Sequence, residues 1–336
     1  MHPIIDEQLK AYNPVTLDDY KNALKEILQN IVLAALKKTD FFERGAFYGG
    51  TALRIFYGLD RFSEDLDFTL YTEDKTFSFE PYFDIVKQTA SAYGFIVETK
   101  EQIKNKDHQN ISTAFLKTGT KISVVSCQAP LNISNSIFEN ENLKVKFEAD
   151  IEPPTGFNTE ELDIKFPESC TIKVLDMPSL LAGKIHAILY RSYRDRVKGR
   201  DYYDFEFLIN KGTKVNLNYL KNKIKNSDSS IDVDKLTIDD IKKMLIEKIS
   251  SIDLNKANDD LESFINTKTD SPILVRENLL SCVPLLVDKW CLLSNLKRFL
   301  YFFQNFDNNL HNYLLIKIRF FSLRLSQSIQ KALKRL

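Results

Sequence analysis

The spacing of hydrophobic and polar positions predicts that the chain begins with helices and then turns to strands. Residues 17–38 place apolar side chains at helical spacing, with aspartates in the first turn and lysines in the last. That pattern predicts a long helix with ends matched to its dipole. Residues 51–57 predict a short helix, residues 66–71 a strand, and residues 79–93 a second long helix.

After Gly94 the pattern changes to short, β-branched segments bounded by turn residues, which predict strands. These segments are FIVETK, KISVVSC, KVKFEADI and CTIKVL, at residues 95–100, 121–127, 144–151 and 170–175. From Met177 onward helical spacing returns, and residues 224–235 predict a loop. The whole pattern predicts an α+β fold to about residue 175, followed by a mostly helical C-terminal part.

These changes in hydrophobic spacing and charge predict three domains, at residues 1–175, 176–284 and 285–336. The last carries nine Lys and Arg against two Asp, a net charge of +7 in a chain whose total is zero. Such asymmetry indicates a contact with nucleic acid, a membrane surface or an acidic protein. Charges interrupt the apolar stretch 279–306, which therefore predicts a buried or partner-facing helix and no membrane span.

Composition narrows the class of protein. The chain has 336 residues, 43% hydrophobic and 27% charged, as expected of a soluble globular protein with a sizeable core. Its cysteines lack close-pair spacing, which argues against a disulfide framework or a zinc site and favours a reducing compartment. They are Cys127, Cys170, Cys282 and Cys291. Since the first residues lack a secretory signal pattern, we expect a cytoplasmic protein.

Candidate chemistry begins in residues 47–70, FYGGTALRIFYGLDRFSEDLDFTL. On a strand, Asp65 and Asp67 point to one side while Leu66 and Phe68 point to the other. Two neighbouring carboxylates repel each other, so the pair is better explained as a cradle for Mg²⁺ (or Mn²⁺) than as packing.

A glycine pair precedes these aspartates. Gly49, Gly50 and Thr51 open the predicted short helix, where backbone amides can bind phosphate and glycine allows a close approach. Taken singly, Gly-Gly-Thr is typical of a turn and cap, and Asp-x-Asp of a solvated strand end. Together, at this spacing, they predict a site for a nucleoside triphosphate and its metal.

Two further segments offer supporting residues. KVKFEADI alternates strictly, so either Glu148 or Asp150 could supply a third carboxylate; we favour Glu148. In residues 176–209, Lys184 lies at the edge of a buried helix face, where a lysine needs an anion. Asp201 lies one turn from a second aspartate in the next helix. Helix capping and a solvated basic loop would be the simpler interpretation of that segment on its own.

The stretch GGTALRIFYGLDRFSEDLDF resembles the first motif of the AbiEii-type nucleotidyltransferase toxins, in the DNA polymerase β-like superfamily. The matching residues are Gly49, Gly50, Thr51, Arg61, Ser63, Asp65, Asp67 and Phe68. The segment 176–209 is similar to the second signature of that family. Its matching residues are Lys184, Ala187, Arg191, Arg200, Asp201 and Asp204. The loop between Arg191 and Arg200 is longer than the common family spacing, which leaves open whether Asp201 or Asp204 has the main role.

The resemblance implies a nucleotidyltransferase-like fold, with a mixed sheet flanked by helices. It also implies a bacterial toxin that moves a nucleoside monophosphate from an NTP to RNA, with tRNA expected, or to a protein. It implies a cognate antitoxin as a partner. The implied catalytic residues are Asp65, Asp67, Lys184 and Asp201, with Glu148 as a further metal ligand. The implied nucleotide ligands are Gly49, Gly50, Thr51, Arg61, Ser63, Lys184 and Arg191, supported by Arg200 and Asp204. Ser63 is either a ligand or a modification site.

Two other functions stay open at this stage. One is a non-catalytic relative that senses NTP or binds an antitoxin. The other is an aspartate-nucleophile phosphatase, since residues 65–70, DLDFTL, also resemble the nucleophile motif of haloacid-dehalogenase-like enzymes. That motif needs an apolar strand before the first aspartate, whereas residues 58–64 are polar and turn-like, so the nucleotidyltransferase is favoured.

Overall fold

The structure is a computed structural model of the chain. It describes residues 2–102, 110–121, 123, 127, 131–135, 137–138, 141–191, 197–265 and 273–288. The predicted basic tail therefore lies outside the described residues, apart from its first four positions.

Helices and strands alternate in the first half of the chain and helices dominate the second. The first-half helices are α1 (Pro3–Tyr12), α2 (Leu17–Lys37), α3 (Phe41–Arg44), α4 (Gly49–Tyr57), α5 (Phe83–Ala92) and α6 (Leu131–Asn135). The strands are β1 (Gly45–Tyr48), β2 (Asp65–Leu70), β3 (Glu98–Gln102), β4 (Ile111–Gly119), β5 (Asn142–Asp150), β6 (Thr159–Ile164) and β7 (Cys170–Leu175). The later helices are α7 (Met177–Tyr190), α8 (Gly199–Asn210), α9 (Leu217–Ser227), α10 (Ile238–Ser251), α11 (Leu254–Glu262) and α12 (Arg276–Cys282).

The strands form one mixed sheet in the order β3-β4-β5-β2-β1-β7-β6. β2 lies at its centre, parallel to β5 and antiparallel to β1, and β1 is parallel to β7. Helices cover the sheet, and helices continue the chain after β7. The predicted α+β class, a mixed sheet flanked by helices, is confirmed.

One face of the sheet forms the first hydrophobic core. The long helix α2 begins with a capping box between Thr16 and Asp19 and buries most of its last four turns. Aromatic rings fill the space beneath it, and Phe41 contacts Phe68 edge-on with ring centroids 4.7 Å apart. Because Phe68 points to this face, the aspartates on either side of Leu66 point to the other face.

The second face of the sheet meets the later helices, which have a core of their own. Leu181 of α7, Phe205 of α8, Leu220 of α9 and Leu245 of α10 are fully buried there. The candidate residues of β2 therefore face a wall made by α7, α8 and α9. Among the described helices, none combines the length and apolar character needed to cross a bilayer.

Several local predictions differ from the structure. The segment KISVVSC was predicted as a strand, which is wrong for its described residues. The strand β4 ends at Gly119, Lys121 and Ser123 are helical, and Cys127 lies in a turn. The strands β1, β4 and β6 were missed, β3 begins only at Glu98, and α9 runs into the predicted loop. Short β-branched segments fit a strand and a buried helix equally well until their neighbours are known.

Candidate functional site

The carboxylates meet because β2 and β5 are parallel neighbours in register. Asp65 lies beside Lys146, Asp67 beside Glu148, and two residues further Thr69 lies beside Asp150. Asp67 and Glu148 thus share one face of adjacent strands, about 5 Å apart at the backbone. The register places Glu148 next to the aspartate pair and Asp150 one step beyond it.

Negative charge is concentrated at this point. Burial, followed by the charges of Asp65 and Glu148, raises the pKa of Asp67 to about 7, although Lys184 and Arg191 act in the opposite direction. Burial and the neighbouring glutamates also raise the pKa of Asp65, against the effect of Lys146. Carboxylates whose pKa is raised in this way are held in a setting that favours a bound cation or a proton.

The start of α4 packs directly against these aspartates. Gly49 has a φ of +88°, and a Cβ built there would lie 2.1 Å from Asp67 Oδ2. A Cβ on Gly50 would lie 2.7 Å from Arg61 Nη2 and 2.9 Å from Ser63 Oγ. The N-cap residue, Tyr48, makes no capping hydrogen bond with its side chain. First-turn amides without a side-chain cap, bordered by glycines, are suited to binding an anion.

Two other residues of the first motif brace the site. Thr51 is fully buried and its hydroxyl donates a hydrogen bond to the backbone carbonyl of Asp65, so the geometry favours a bracing role over the predicted nucleotide contact. Gln29 of α2 donates to the backbone carbonyls of Ser63 (3.0 Å) and Glu64 (2.9 Å). This contact fixes the loop that presents Ser63 beside Gly50.

Arg61 is also buried, with an exposed fraction of 2%. It donates from Nε and Nη2 to the two carboxylate oxygens of Asp204, at 2.7 and 2.6 Å, and from Nη1 to the carbonyl of Phe62 at 2.7 Å. This bidentate pair joins the motif loop to α8. The geometry therefore favours Arg61 as a positioning residue over the predicted nucleotide contact.

Lys184 of α7 contacts the two aspartates of the second signature, Asp201 and Asp204. Its Nζ is 2.7 Å from Asp204 Oδ2 and 3.1 Å from Asp201 Oδ1. Burial lowers the pKa of Lys184, but the charges of Asp204 and Asp201 outweigh burial and raise it, so the lysine stays charged. Both aspartates left open by the sequence therefore hold this lysine.

Arg191, at the end of α7, completes the cationic wall. Its Nη1 donates to Asp201 Oδ2 at 3.0 Å, while half of its side chain remains exposed. Burial raises the pKa of Asp201, but Lys184 and Arg191 outweigh burial and hold it at about 2. A permanently charged carboxylate thus orients two cations toward the carboxylates of β2.

Arg200 connects the loop before β2, at residues 58–64, to α11. It pairs with Asp260 of α11 at 3.3 Å and with Glu64 at 3.7 Å, and its guanidinium lies 4.1 Å from the ring centroid of Phe264. Arg200 thus contacts both the loop before β2 and α11. Phe264 also accepts a hydrogen bond at its carbonyl from the Phe62 amide at 2.8 Å, so the loop is held from both sides.

The donor set on β2 fits a divalent cation. Asp65 and Asp67 are adjacent, half-buried and raised in pKa, and magnesium prefers one or two carboxylates together with substrate oxygens. Within the described residues, no three acidic, His or Cys side chains are gathered into a ready metal site. Glu148 is instead paired with Lys146 at 2.5 Å. The fit thus rests on two carboxylates, with Glu148 one strand away.

The structure brings together the predicted Gly49, Gly50, Ser63, Asp65 and Asp67 with Glu148, Lys184, Arg191 and Asp201. It also adds residues that the sequence analysis missed. Lys146 carried a signal, because it shares the alternating face of Glu148. Gln29 carried none, since it lies on an amphipathic helix whose pattern is typical of ordinary packing.

The chain is similar to one known protein family and to two solved structures. The family model "Nucleotidyl transferase AbiEii toxin, Type IV TA system" matches residues 31–273. No curated sequence matches the chain. The structure of JHP933 from Helicobacter pylori is 18% identical with a TM-score of 0.44, covering 79% of this chain and 89% of that one. An inferred nucleotidyltransferase from H. pylori is 18% identical with a TM-score of 0.42, covering 77% and 91%. With a family match over most of its length, the chain belongs to the AbiEii nucleotidyltransferase toxin family of type IV toxin–antitoxin systems.

Proposed function

We propose that the protein transfers a nucleoside monophosphate from an NTP to an RNA acceptor, with tRNA the expected RNA, in a reaction that requires Mg²⁺ or Mn²⁺. The observation that carries the proposal is the juxtaposition of Asp65 and Asp67 with the uncapped glycine start of α4. Carboxylates for a metal and amides for phosphate thus lie against each other. Family membership supports a toxin with a cognate antitoxin as its partner.

Different residues would bind the phosphates, hold the metal and stabilise the leaving group. Gly50 and Ser63 would bind the phosphates of the NTP, and Asp65 and Asp67 would hold the metal. The bound metal supplies neutralisation of phosphate charge and a lower pKa for the attacking hydroxyl. Lys184 pairs with Asp204, whose other partner Arg61 lies beside Gly50, and Arg191 pairs with Asp201. Their positive charge would stabilise the departing pyrophosphate.

The proposed step is a balanced substitution at phosphorus. A hydroxyl oxygen of the acceptor bonds to the α-phosphorus while the bond from that phosphorus to the α,β-bridging oxygen breaks. Pyrophosphate leaves with the electron pair, and the hydroxyl proton passes to solvent. Attacking and leaving oxygens are roughly in line in such transfers.

The test uses purified protein, total bacterial RNA, Mg²⁺ and each labelled NTP in turn. We expect label to enter RNA with the wild type and to be lost with Asp65→Asn/Asp67→Asn. The matched control is Asp232→Asn/Asp234→Asn, which changes two exposed aspartates at the same spacing and should keep full transfer. A chelator should stop transfer and added Mg²⁺ or Mn²⁺ should restore it; transfer that persists in chelator contradicts the metal requirement.

Three other results of this test would change the proposal. NTP binding without any transfer would support a sensing or antitoxin-binding relative, and label on the protein itself would point to a protein acceptor. Phosphate release from a generic phosphoester, lost in Asp65→Asn, would support a phosphatase. The structure disfavours the phosphatase, because β2 begins at Asp65 and no strand leads into it.

A further inference from the structure

Lys223 of α9 differs from the other cations of the cleft in its partners. Lys184, Arg191 and Arg200 each pair with a carboxylate within 4 Å. Lys223 Nζ contacts the hydroxyl of Tyr219 at 3.5 Å and lies 5.2 Å from its ring centroid. Among the described residues it forms no ion pair, although it is half-buried. Placing an unpaired cation in a partly desolvated position is costly unless a ligand supplies the anion.

The position of Lys223 along the sheet is also defined. The charge of Lys223 acts on Asp150, which lies beside Thr69 on the face of the sheet that carries the site. Among the described ion pairs, Lys223 and Asp150 do not form one. Asp150 follows Glu148 by two residues on β5, about 7 Å further along the strand. Ser63 and Gly50 lie toward the opposite end, before Asp65 on β2. The phosphate-binding features and Lys223 therefore flank the carboxylates on opposite sides.

In an in-line transfer, the leaving pyrophosphate and the acceptor hydroxyl lie on opposite sides of the α-phosphorus. If the pyrophosphate leaves toward Gly50 and Ser63, the acceptor hydroxyl approaches from the far side of the α-phosphorus. That far side is the one that Lys223 borders. Lys223, for which the described part of the chain offers no ion pair, is thus placed beside the incoming acceptor and away from the triphosphate.

Aromatic rings continue from Lys223 along the same face. Tyr219 meets Phe157 edge-on at 5.7 Å, and Phe157 stacks with Tyr71 at 6.2 Å and an angle of 25°. Phe157 and Tyr71 are partly exposed, and Lys173 lies 5.5 Å from the Tyr71 ring centroid. Cations beside partly exposed aromatic rings are the pattern that binds single-stranded nucleic acid.

We propose that Lys223, with the aromatic rings of Phe157 and Tyr71, forms a subsite for the single-stranded end of the RNA acceptor, and that Lys223 binds a phosphodiester next to the reacting hydroxyl. This inference rests on the proposed function in taking RNA as the acceptor. It assigns to α9 a binding residue that neither sequence signature contains.

The test compares Lys223→Ala with Lys225→Ala, an exposed lysine on the same helix. In the transfer assay, we expect Lys223→Ala to raise the KM for RNA about tenfold, the effect of one lost charge-assisted contact, with the KM for NTP unchanged. Lys225→Ala should match the wild type. A Lys223→Met variant keeps the apolar stem and separates loss of charge from loss of packing.

A binding assay keeps the test independent of turnover. The probe is a fluorescein-labelled single-stranded oligoribonucleotide, titrated into the full chain with a non-hydrolysable NTP analogue present. Losing one phosphate contact should reduce the salt slope of log Kobs by about 0.7. If the wild type transfers nothing but Lys223→Met still weakens RNA binding, the subsite stands and the proposed function fails. If Lys223→Met binds RNA like Lys225→Ala, the inference is overturned, and weaker binding of the NTP analogue alone would reassign Lys223 to the nucleotide.

Discussion

Replacing Asp204 by asparagine should destabilise the protein far more than the same change at a surface ion pair. Asp204 is fully buried and receives two hydrogen bonds from Arg61, at 2.7 and 2.6 Å, and the ammonium of Lys184 at 2.7 Å. The asparagine keeps the shape but leaves the buried Arg61 without its carboxylate partner and Lys184 with Asp201 alone. Removing one partner of a buried pair costs about 3–5 kcal/mol of unfolding free energy.

The matched control is Asp239→Asn on α10. Asp239 pairs with Lys242 at 3.8 Å, but 64% of its side chain is exposed, and such pairs are worth about 0–1 kcal/mol. Both variants are compared with the wild type by urea unfolding followed by circular dichroism. Asp204→Asn should shift the midpoint strongly, and Asp239→Asn should leave it almost unchanged.

A double-mutant cycle with Arg61→Met sharpens the result. Because both single changes break the same contact, the double variant should lose less free energy than the two losses added together, by about 1–3 kcal/mol. If Asp204→Asn loses no more than Asp239→Asn, or if the cycle is additive, the buried pair does not hold the motif loop to α8 and the reasoning is refuted.

Three further changes test other parts of the structure. Gly49→Ala should lower the transfer rate about 100-fold in the labelled-NTP assay, because its Cβ displaces Asp67, whereas Gly58→Ala, with open space around its Cβ, should retain transfer. Asp201→Asn should lose about 2 kcal/mol of unfolding free energy near pH 7, since the pKa of Asp201 is held at about 2 in the folded state. That stabilisation is fully present above the unfolded pKa of about 3.9 and is lost as pH falls through 2, so the urea midpoints of variant and wild type should converge in acid; a constant gap would contradict the assignment. Gly183→Ala, inside α7 and free of contacts at the added Cβ, should raise the unfolding free energy by about 0.5–1 kcal/mol, and a loss would show strain at that position.

The fold class and the order of the site residues along the chain could be predicted from the sequence, because both depend on local patterns. Alternation on β2 and β5 determined which carboxylates share a face, and helical spacing placed Lys184 and Asp201 on neighbouring helices. The register that sets Asp67 beside Glu148 could not be read from either strand alone, since it depends on a pairing between distant segments.

The sequence could not show which of the candidate site residues are buried. Arg61 and Thr51 matched a nucleotide-binding motif, yet both lie inside the protein and contact Asp204 and the Asp65 backbone. A motif match shows which residue type stands at a position. It does not show whether that residue binds a ligand or holds another part of the protein in place. Lys223 shows the converse, since its importance comes from what surrounds it and not from its spacing.

The pairing of Arg61 with Asp204 spans 143 residues of chain, and this has a consequence for how a toxin of this family is made. At roughly 5–20 residues per second, the ribosome needs on the order of ten seconds to synthesise the second partner after the first. During that time the nascent chain carries the aspartates of β2 without the cationic wall that faces them. The proposed site is therefore assembled only when the later helices dock on the sheet, and a chain still on the ribosome lacks half of it.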